Sequence, residues 1–489
     1  MGITKEVFRQ SCVIAAIWLL CMVTKSYILF AVFGVGLFAA LSRKVSLAWA
    51  CWTILTMAVT LNHNIVPKAG MVIGVILRGG PLLIALATVL VAQSGSRDKL
   101  PIGMLTLYLI AQIVSSMNGL VPQVSFMKLF QFFAFFFGLW LGTGTLAGRA
   151  EDLHRMRVFF LSLILVLLGG SILAYPFPEI SYSTTLREAV YEGAEYARYK
   201  YEVMLRSGGL MLFSGITDHS QTLAPFLSIM IIYVSADMIF VERKISALHI
   251  AMIVVMLVML FMTRSRTGLF AVAVSGFIMV SYTFKKVNLP RELRQKLQSA
   301  MTFGGILLLL LMAAMEVRSQ TFTKWLRKTN DVEADYRAMD EAITQTRQGT
   351  IDQCMYEFNQ NRFMGIGFQV SEQVKDLYDR SSGLILSAPI EKGLLPLMVL
   401  GEGGIVGAIL FYIFVIGFTS GCIKGKYFVS LLLFIDFFCT NIGEATFFSP
   451  GGPGGVMWAI FVLGGFSTDQ MIKMSARRQT VYNGYYISY

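Results

Sequence analysis

With 489 residues, 55% of them hydrophobic and only 14% charged, and a mean hydropathy of +0.65, the chain is too apolar for a soluble protein of its size. Its formal net charge of +12 gathers at the ends of apolar runs, as the lysine and arginine excess of cytoplasmic loops does, so it calls for a lipid bilayer and not for nucleic acid. The six cysteines, at positions 12, 21, 51, 354, 422 and 439, show no metal-ligand spacing. Cys354 alone falls in a polar segment and is expected as an exposed thiol without a disulfide partner.

A spanning helix needs about 20 largely apolar residues. Fourteen candidates follow in order, near 7–24, 26–42, 45–62, 71–92, 100–118, 124–146, 156–175, 220–241, 246–263, 266–284, 299–315, 402–421, 427–441 and 453–470. Lys5 and Arg9 precede the first, which is expected to be a span and not a cleaved leader because further spans follow at once. With the N-terminus inside, the cytoplasmic loops collect Arg43/Lys44, Arg97/Lys99, Arg149/Arg155/Arg157, Arg243/Lys244, Lys285 to Lys296, Lys424/Lys426 and Lys473/Arg477/Arg478. Both termini are therefore expected in the cytoplasm.

Residues 1–315 then hold eleven spans, and 316–388 form a large, partly helical external loop. Residues 389–489 hold a re-entrant half-helix and three more spans. In the loop, Tyr336, Met339 and Ile343 stand at helical spacing within Phe322 to Gly349, which predicts amphipathic helices over the membrane. The stretch Pro389 to Ile423 is too long for one span and contains Pro396 and Gly401 to Gly404. A broken helix beside a cavity is expected there. Three charges fall inside spans. Lys128 is expected to snorkel; Arg78 either lines a groove for a lipid ligand or pairs with Asp436.

Four polar stretches open onto the expected external face. They are Leu205-Arg206-Ser207-Gly208-Gly209 through Asp218-His219-Ser220; Thr263-Arg264-Ser265-Arg266-Thr267-Gly268; Asn359-Gln360-Asn361-Arg362-Phe363-Met364-Gly365-Ile366-Gly367; and Glu391-Lys392-Gly393, followed by Glu402-Gly403-Gly404-Ile405-Val406-Gly407. Cations on that face gain nothing from topology. Each stretch also has a plain reading. Arg206 and Arg266 snorkel to the interface, Glu402 caps freed amides, Glu391 pairs with Lys392, and His219 caps or packs. Gly365, Gly367, Gly404 and Gly407 permit turns and close helix approach.

In this order the stretches resemble the superfamily of O-antigen ligases and O-antigen or exopolysaccharide polymerases. The match lies in Arg206/Gly209, Thr263/Ser265/Arg266, Asn361 to Gly367 and Glu402 to Gly407. The resemblance implies an all-α polytopic membrane glycosyltransferase (GT-C-like) of the bacterial inner membrane, with a periplasmic site. It further implies an inverting transfer of glycan from a polyprenyl-pyrophosphate-linked oligosaccharide, with no cofactor and no metal. Arg206 and Arg266 are then the catalytic cations, since planar guanidinium groups pair bidentately with phosphate oxygens. Glu391 or Glu402 is the carboxylate on the acceptor side. Arg264, Arg347, Asn361, Arg362, Gly365, Gly367, Lys392, Arg78 and His219 are the expected substrate-binding residues.

Arg362 stands where the family carries proline. Glu391-Lys392-Gly393 stands where its ligases carry histidine, which points to a polymerase, with a chain-length regulator as partner. A ligase acting on lipid A core or protein is the nearest alternative. A lipid-linked sugar transporter is a further one, with charges along a midplane path as its mark.

Overall fold

The computed structural model describes residues 2–23, 99–146, 150–174, 213, 215–217, 220–244, 246–263, 265–286, 295, 339–372, 374–375, 393–444, 446–450 and 453–482. Among these residues there is no strand. In chain order they form α1 (Gly2–Val23), α2 (Leu105–Met117, entered through a 3-10 turn at Pro101–Met104), α3 (Pro122–Leu146) and α4 (Ala150–Leu173). Next come α5 (Ser220–Ala236), running on as a π-helical turn over Asp237–Glu242, then α6 (Ala247–Met262), α7 (Arg266–Lys286) and α8 (Met339–Gln360). The chain closes with α9 (Leu395–Gly425), α10 (Phe428–Asn441), α11 (Pro453–Ala459), a π-helical turn at Ile460–Gly464, and α12 (Gly465–Tyr482).

Six of the described helices are long and apolar enough to cross a membrane, and shorter apolar helices stand at Pro101–Met117, Ala247–Met262 and Phe428–Asn441. The described residues are those of an all-α, multi-pass membrane protein. The expected spans near 26–42, 45–62, 71–92 and 299–315 lie outside the described residues; the others fall on helices. Helix α4 begins earlier than its apolar core, because Arg157 and its neighbours are drawn into the protein.

The rod of α11 and α12 and helix α5 are the most buried spans, whereas α7 leaves most of its surface open. Around them α1 packs on α4, α7 on α10, α9 on α2 and α8, and α5 on α6, α7 and α10. Aromatic rings fill the junctions. Trp458 meets Phe132, Phe437, Phe447 and Phe461 with ring centroids 5.9, 5.8, 5.0 and 5.4 Å apart, and its indole N–H donates to the Phe447 carbonyl. Such aromatic pairs, three of the four edge-to-face, add about 0.5–1.5 kcal/mol beyond burial, a useful contribution where lipid removes most of the hydrophobic drive.

One end of the bundle is held by charge. Asp469 accepts from the Val429 and Ser430 amides, both at 2.9 Å, and from Ser430 Oγ at 2.8 Å, closing the start of α10 from a neighbouring helix. Lys473 stands 3.6 Å over the Tyr427 ring. Arg157, expected as one more cytoplasmic loop cation, is instead buried at 3% exposure. Its Nη2 donates to Asp237 at 2.7 Å and to Glu242, while His249 Nε2 lies 3.2 Å from the same Asp237 oxygen. The π-helical turn carries both acids, so part of the basic balance is internal pairing and not topology. Removing Arg157 would leave Asp237 as an uncompensated buried charge. Arg157→Ala is expected to cost about 3–5 kcal/mol, read as a lowered unfolding midpoint in detergent, while Arg155→Ala, an exposed partner of Glu151 one turn along α4, stays within about 0.5 kcal/mol.

Candidate active site

Helix α9 is broken at Gly404, whose φ of 62° and ψ of −164° are open to glycine and strained for other residues. In an unbroken helix the Ile405 and Val406 amides would bond to the Gly401 and Glu402 carbonyls. Here all four groups turn to the segment that follows α8. Ile405 N donates to Arg362 O at 2.8 Å and Val406 N to Phe363 O at 3.2 Å, while Ile366 N donates to Gly401 O and Gly367 N to Glu402 O, both at 3.1 Å. Two of the expected motifs therefore form one backbone-paired unit.

Close approach explains the glycines. A Cβ on Gly365, at φ 73°, would enter the Glu402 and Gly403 backbone, and one on Gly404 would enter the Phe363 carbonyl. Asn361 shapes the turn: its carbonyl accepts from Gly365 N at 2.8 Å and its side chain from Met364 N at 3.1 Å. Arg362 folds back to Asn359 Oδ1 at 3.1 and 2.9 Å and remains exposed.

Helix α2, the turn after it and the first turn of α3 support this unit. Ser115 Oγ donates to Glu402 O at 2.7 Å, Leu120 N to Ile366 O at 2.9 Å, and Ser125 Oγ to Phe368 O at 3.1 Å. Glu402 has no exposed surface, and Tyr108 and Gln112 stand beside its half of α9. Lys128, expected to snorkel, is buried and donates to Gln369 O at 3.1 Å, because the loop carbonyl reaches it before lipid headgroups can. Cys354, expected exposed, is buried against α9, its carbonyl facing Gly401.

The second part of the site is the turn from α6 to α7. Thr263 ends α6 and bonds to Leu260 O at 2.6 Å, and Ser265 Oγ accepts from Gly268 N at 3.2 Å, an N-cap for α7. Arg266 opens α7 half-buried, with Nε and Nη2 enclosed by protein. Phe213 N donates to Met262 O at 3.1 Å, which ties Phe213 to the end of α6.

A third segment, 441–450, joins the two parts, and no motif in the sequence points to it. Gly443 lies against Thr267, and Gln369 Nε2, on a backbone of φ 52°, donates to Phe448 O at 2.6 Å. Asn441 Oδ1 accepts from Thr446 N at 2.9 Å. Its only sequence signal is the density of Gly and Pro after Ser449, which reads as an ordinary turn.

Residues 251–412 match the family model described as O-antigen ligase. The chain carries a domain of the O-antigen ligase and polymerase superfamily. No curated protein and no solved structure matches the chain. The O-antigen ligase segment runs from α6 through the Arg266 turn and α8 to the second half of α9, so it contains both backbone-paired motifs.

Of the expected site residues, Arg266, Asn361, Arg362, Gly365, Gly367 and Glu402 are placed at this end of the bundle. Asn361, Gly365 and Gly367 serve the turn and its docking on α9. Arg347 falls on α8, and its side chain is outside what the structure describes. Arg206, His219, Arg264, Arg78, Glu391 and Lys392 lie outside the described residues. Asp436 takes Ser228 as a partner, at 2.7 Å.

The glycine roles are separable by experiment. Gly365→Ala and Gly404→Ala should each lower stability by at least about 1–3 kcal/mol, whereas Gly349→Ala, on α8 with open space around its Cβ, should be neutral or stabilising by up to about 1 kcal/mol. Thermal unfolding of the purified variants reads the difference.

Proposed function

We propose that the chain is a polysaccharide polymerase of the bacterial inner membrane, joining oligosaccharide units from polyprenyl-pyrophosphate carriers at the periplasmic face. The observation that carries this reading is the enclosed guanidinium of Arg266 at the end of the bundle where the O-antigen ligase motifs gather. A snorkelling arginine would turn outward to water or headgroups. Here two of the three guanidinium nitrogens are enclosed by protein, which suits a fixed positive fork for a diphosphate leaving group.

In the proposed reaction the acceptor hydroxyl oxygen attacks the anomeric carbon from the face opposite the carrier. The bond from that carbon to the pyrophosphate oxygen breaks, the pyrophosphate departs with the bonding pair, and the hydroxyl proton passes to a carboxylate. Arg266, with Arg206, neutralises the charge that develops on the leaving group. Glu402 is sealed beneath the 361–368 segment, so we assign it to holding the broken helix and Glu391 to the acceptor side. Periplasmic placement, cytoplasmic termini and a chain-length regulator as partner belong to the same proposal.

A ligase that hands the glycan to another acceptor is the second reading, favoured by the description of the matched family. The polymerase is preferred because Glu391-Lys392-Gly393 occupies the place of the ligase histidine.

In cells lacking the native copy, Arg266→Ala should reduce long-chain polysaccharide about a hundredfold or more. Arg266→Lys, which keeps charge but loses the bidentate fork, should be intermediate. The measurement is the chain-length ladder on a polysaccharide gel at matched protein level. An unchanged ladder for Arg266→Ala would remove the assignment. Loss of all ladder bands from lipid A core with intact lipid-linked polymer would select the ligase.

A further inference from the structure

Asp436 is a fully buried carboxyl in the middle of α10, a position where an acid is costly in a membrane helix and is usually retained for function. Its Oδ1 stands 2.7 Å from Ser228 Oγ on α5, and the same hydroxyl lies 3.3 Å from the carbonyl of Gly268 on α7. Gly268 is two residues beyond Arg266, in the first turn of the helix. Its amide is already held by Ser265 Oγ at 3.2 Å. Both polar groups of this residue therefore have partners, the amide from within the turn and the carbonyl from Ser228 on α5.

The turn is braced a second time by the same helix. Gly443, just past the end of α10, lies so close to Thr267 that a Cβ there would overlap its methyl group. Gly268 itself packs on Leu260 and Ala224, with 3.0 and 3.4 Å left for a Cβ. Helix α7 is otherwise the most open of the described helices long enough to span a membrane. Its first turn is thus clamped while its length is left largely to lipid.

We propose that Asp436 and Ser228 are a positioning pair that fixes the first turn of α7 and so aims Arg266 at the donor pyrophosphate. This rests on the function proposed above. Neither residue touches substrate; both act through Arg266. A long arginine side chain amplifies small rotations of its helix, and a misplacement of about 1 Å at a reacting centre can lower the rate about a hundredfold. The single Ser228 hydroxyl proton is shared between the Asp436 carboxyl at 2.7 Å and the Gly268 carbonyl at 3.3 Å, a three-centre contact by which the pair ties α10 to the first turn of α7.

The experiment uses the full-length protein, purified in detergent, with a polyprenyl-pyrophosphate-linked oligosaccharide as donor. Ser228→Ala and Asp436→Leu should each lower kcat about tenfold with donor KM changed much less, and with unchanged elution on size exclusion. Asp436→Asn, which keeps an oxygen to accept from Ser228, should recover most of the lost turnover. The Ser228→Ala/Asp436→Leu double variant should be no slower than the worse single variant, as for two members of one unit. If Asp436→Leu fails to fold, Ser228→Ala and Asp436→Asn decide. Wild-type turnover in Ser228→Ala beside an inactive Arg266→Ala would overturn the positioning pair while leaving the proposed function standing. A fully active Arg266→Ala would instead remove the function itself, and the pair with it.

Discussion

The break in α9 sets the constraint that the rest of the site obeys. A helix interrupted inside a membrane exposes backbone donors and acceptors that lipid cannot satisfy, at several kcal/mol for each group left open. Here the lost bonds of Gly401, Glu402, Ile405 and Val406 are replaced one for one by Arg362, Phe363, Ile366 and Gly367. The replacement works only if a second backbone lies in contact with the first, which forces glycine at 365 and 404. Buried position, glycine content and motif spacing are thus one requirement and not three. A net gain of about 1 kcal/mol for each hydrogen bond matters less than the penalty avoided.

This pairing has a mechanical consequence. The segment after α8 cannot move relative to the start of α9 without opening its four backbone bonds. Ser115 and Leu120 fasten the same unit to α2 and the turn after it, and Lys128 and Gln369 carry the attachment on to α3 and to Phe448. Gly443 then meets Thr267 beside Arg266. A continuous chain of contacts links the broken helix to the arginine turn, which suits a site that must hold charge in a fixed place and not follow a mobile surface loop.

Much of this is legible in the amino-acid sequence alone. Helical spans follow from apolar length, and the broken helix from Pro396 and the glycines at 401, 403 and 404 in a segment too long for one crossing. The O-antigen ligase motifs stand out as short stretches in a fixed order. What the sequence hides depends on partners far apart in the chain. Arg157 looks like any loop cation until Asp237, 80 residues on, is brought to it by a π-helical turn. Lys128 looks like a snorkelling end residue until the carbonyl of Gln369, 241 residues away, arrives first. Cys354 sits in a polar stretch, yet the helix it belongs to turns that face onto α9. The 441–450 segment has no chemistry of its own to announce it; it gains a role only through what it touches.

The distribution of buried charge separates the two ends of the bundle by purpose. At one end Arg157 pairs with Asp237 and Glu242, His249 stands against the same Asp237, and Asp469 closes the start of α10. These pairings hold helices together. At the other end the polar groups serve a few backbone turns, and two nitrogens of the half-buried Arg266 guanidinium are enclosed by protein. Asp436 lies between the two and belongs with the second, since its hydroxyl partner reaches the first turn of α7 and nothing at the ion network. An acid placed only for stability would be better served by the company of Arg157. Its link through Ser228 to the arginine turn is the reason to read it as aim and not as glue.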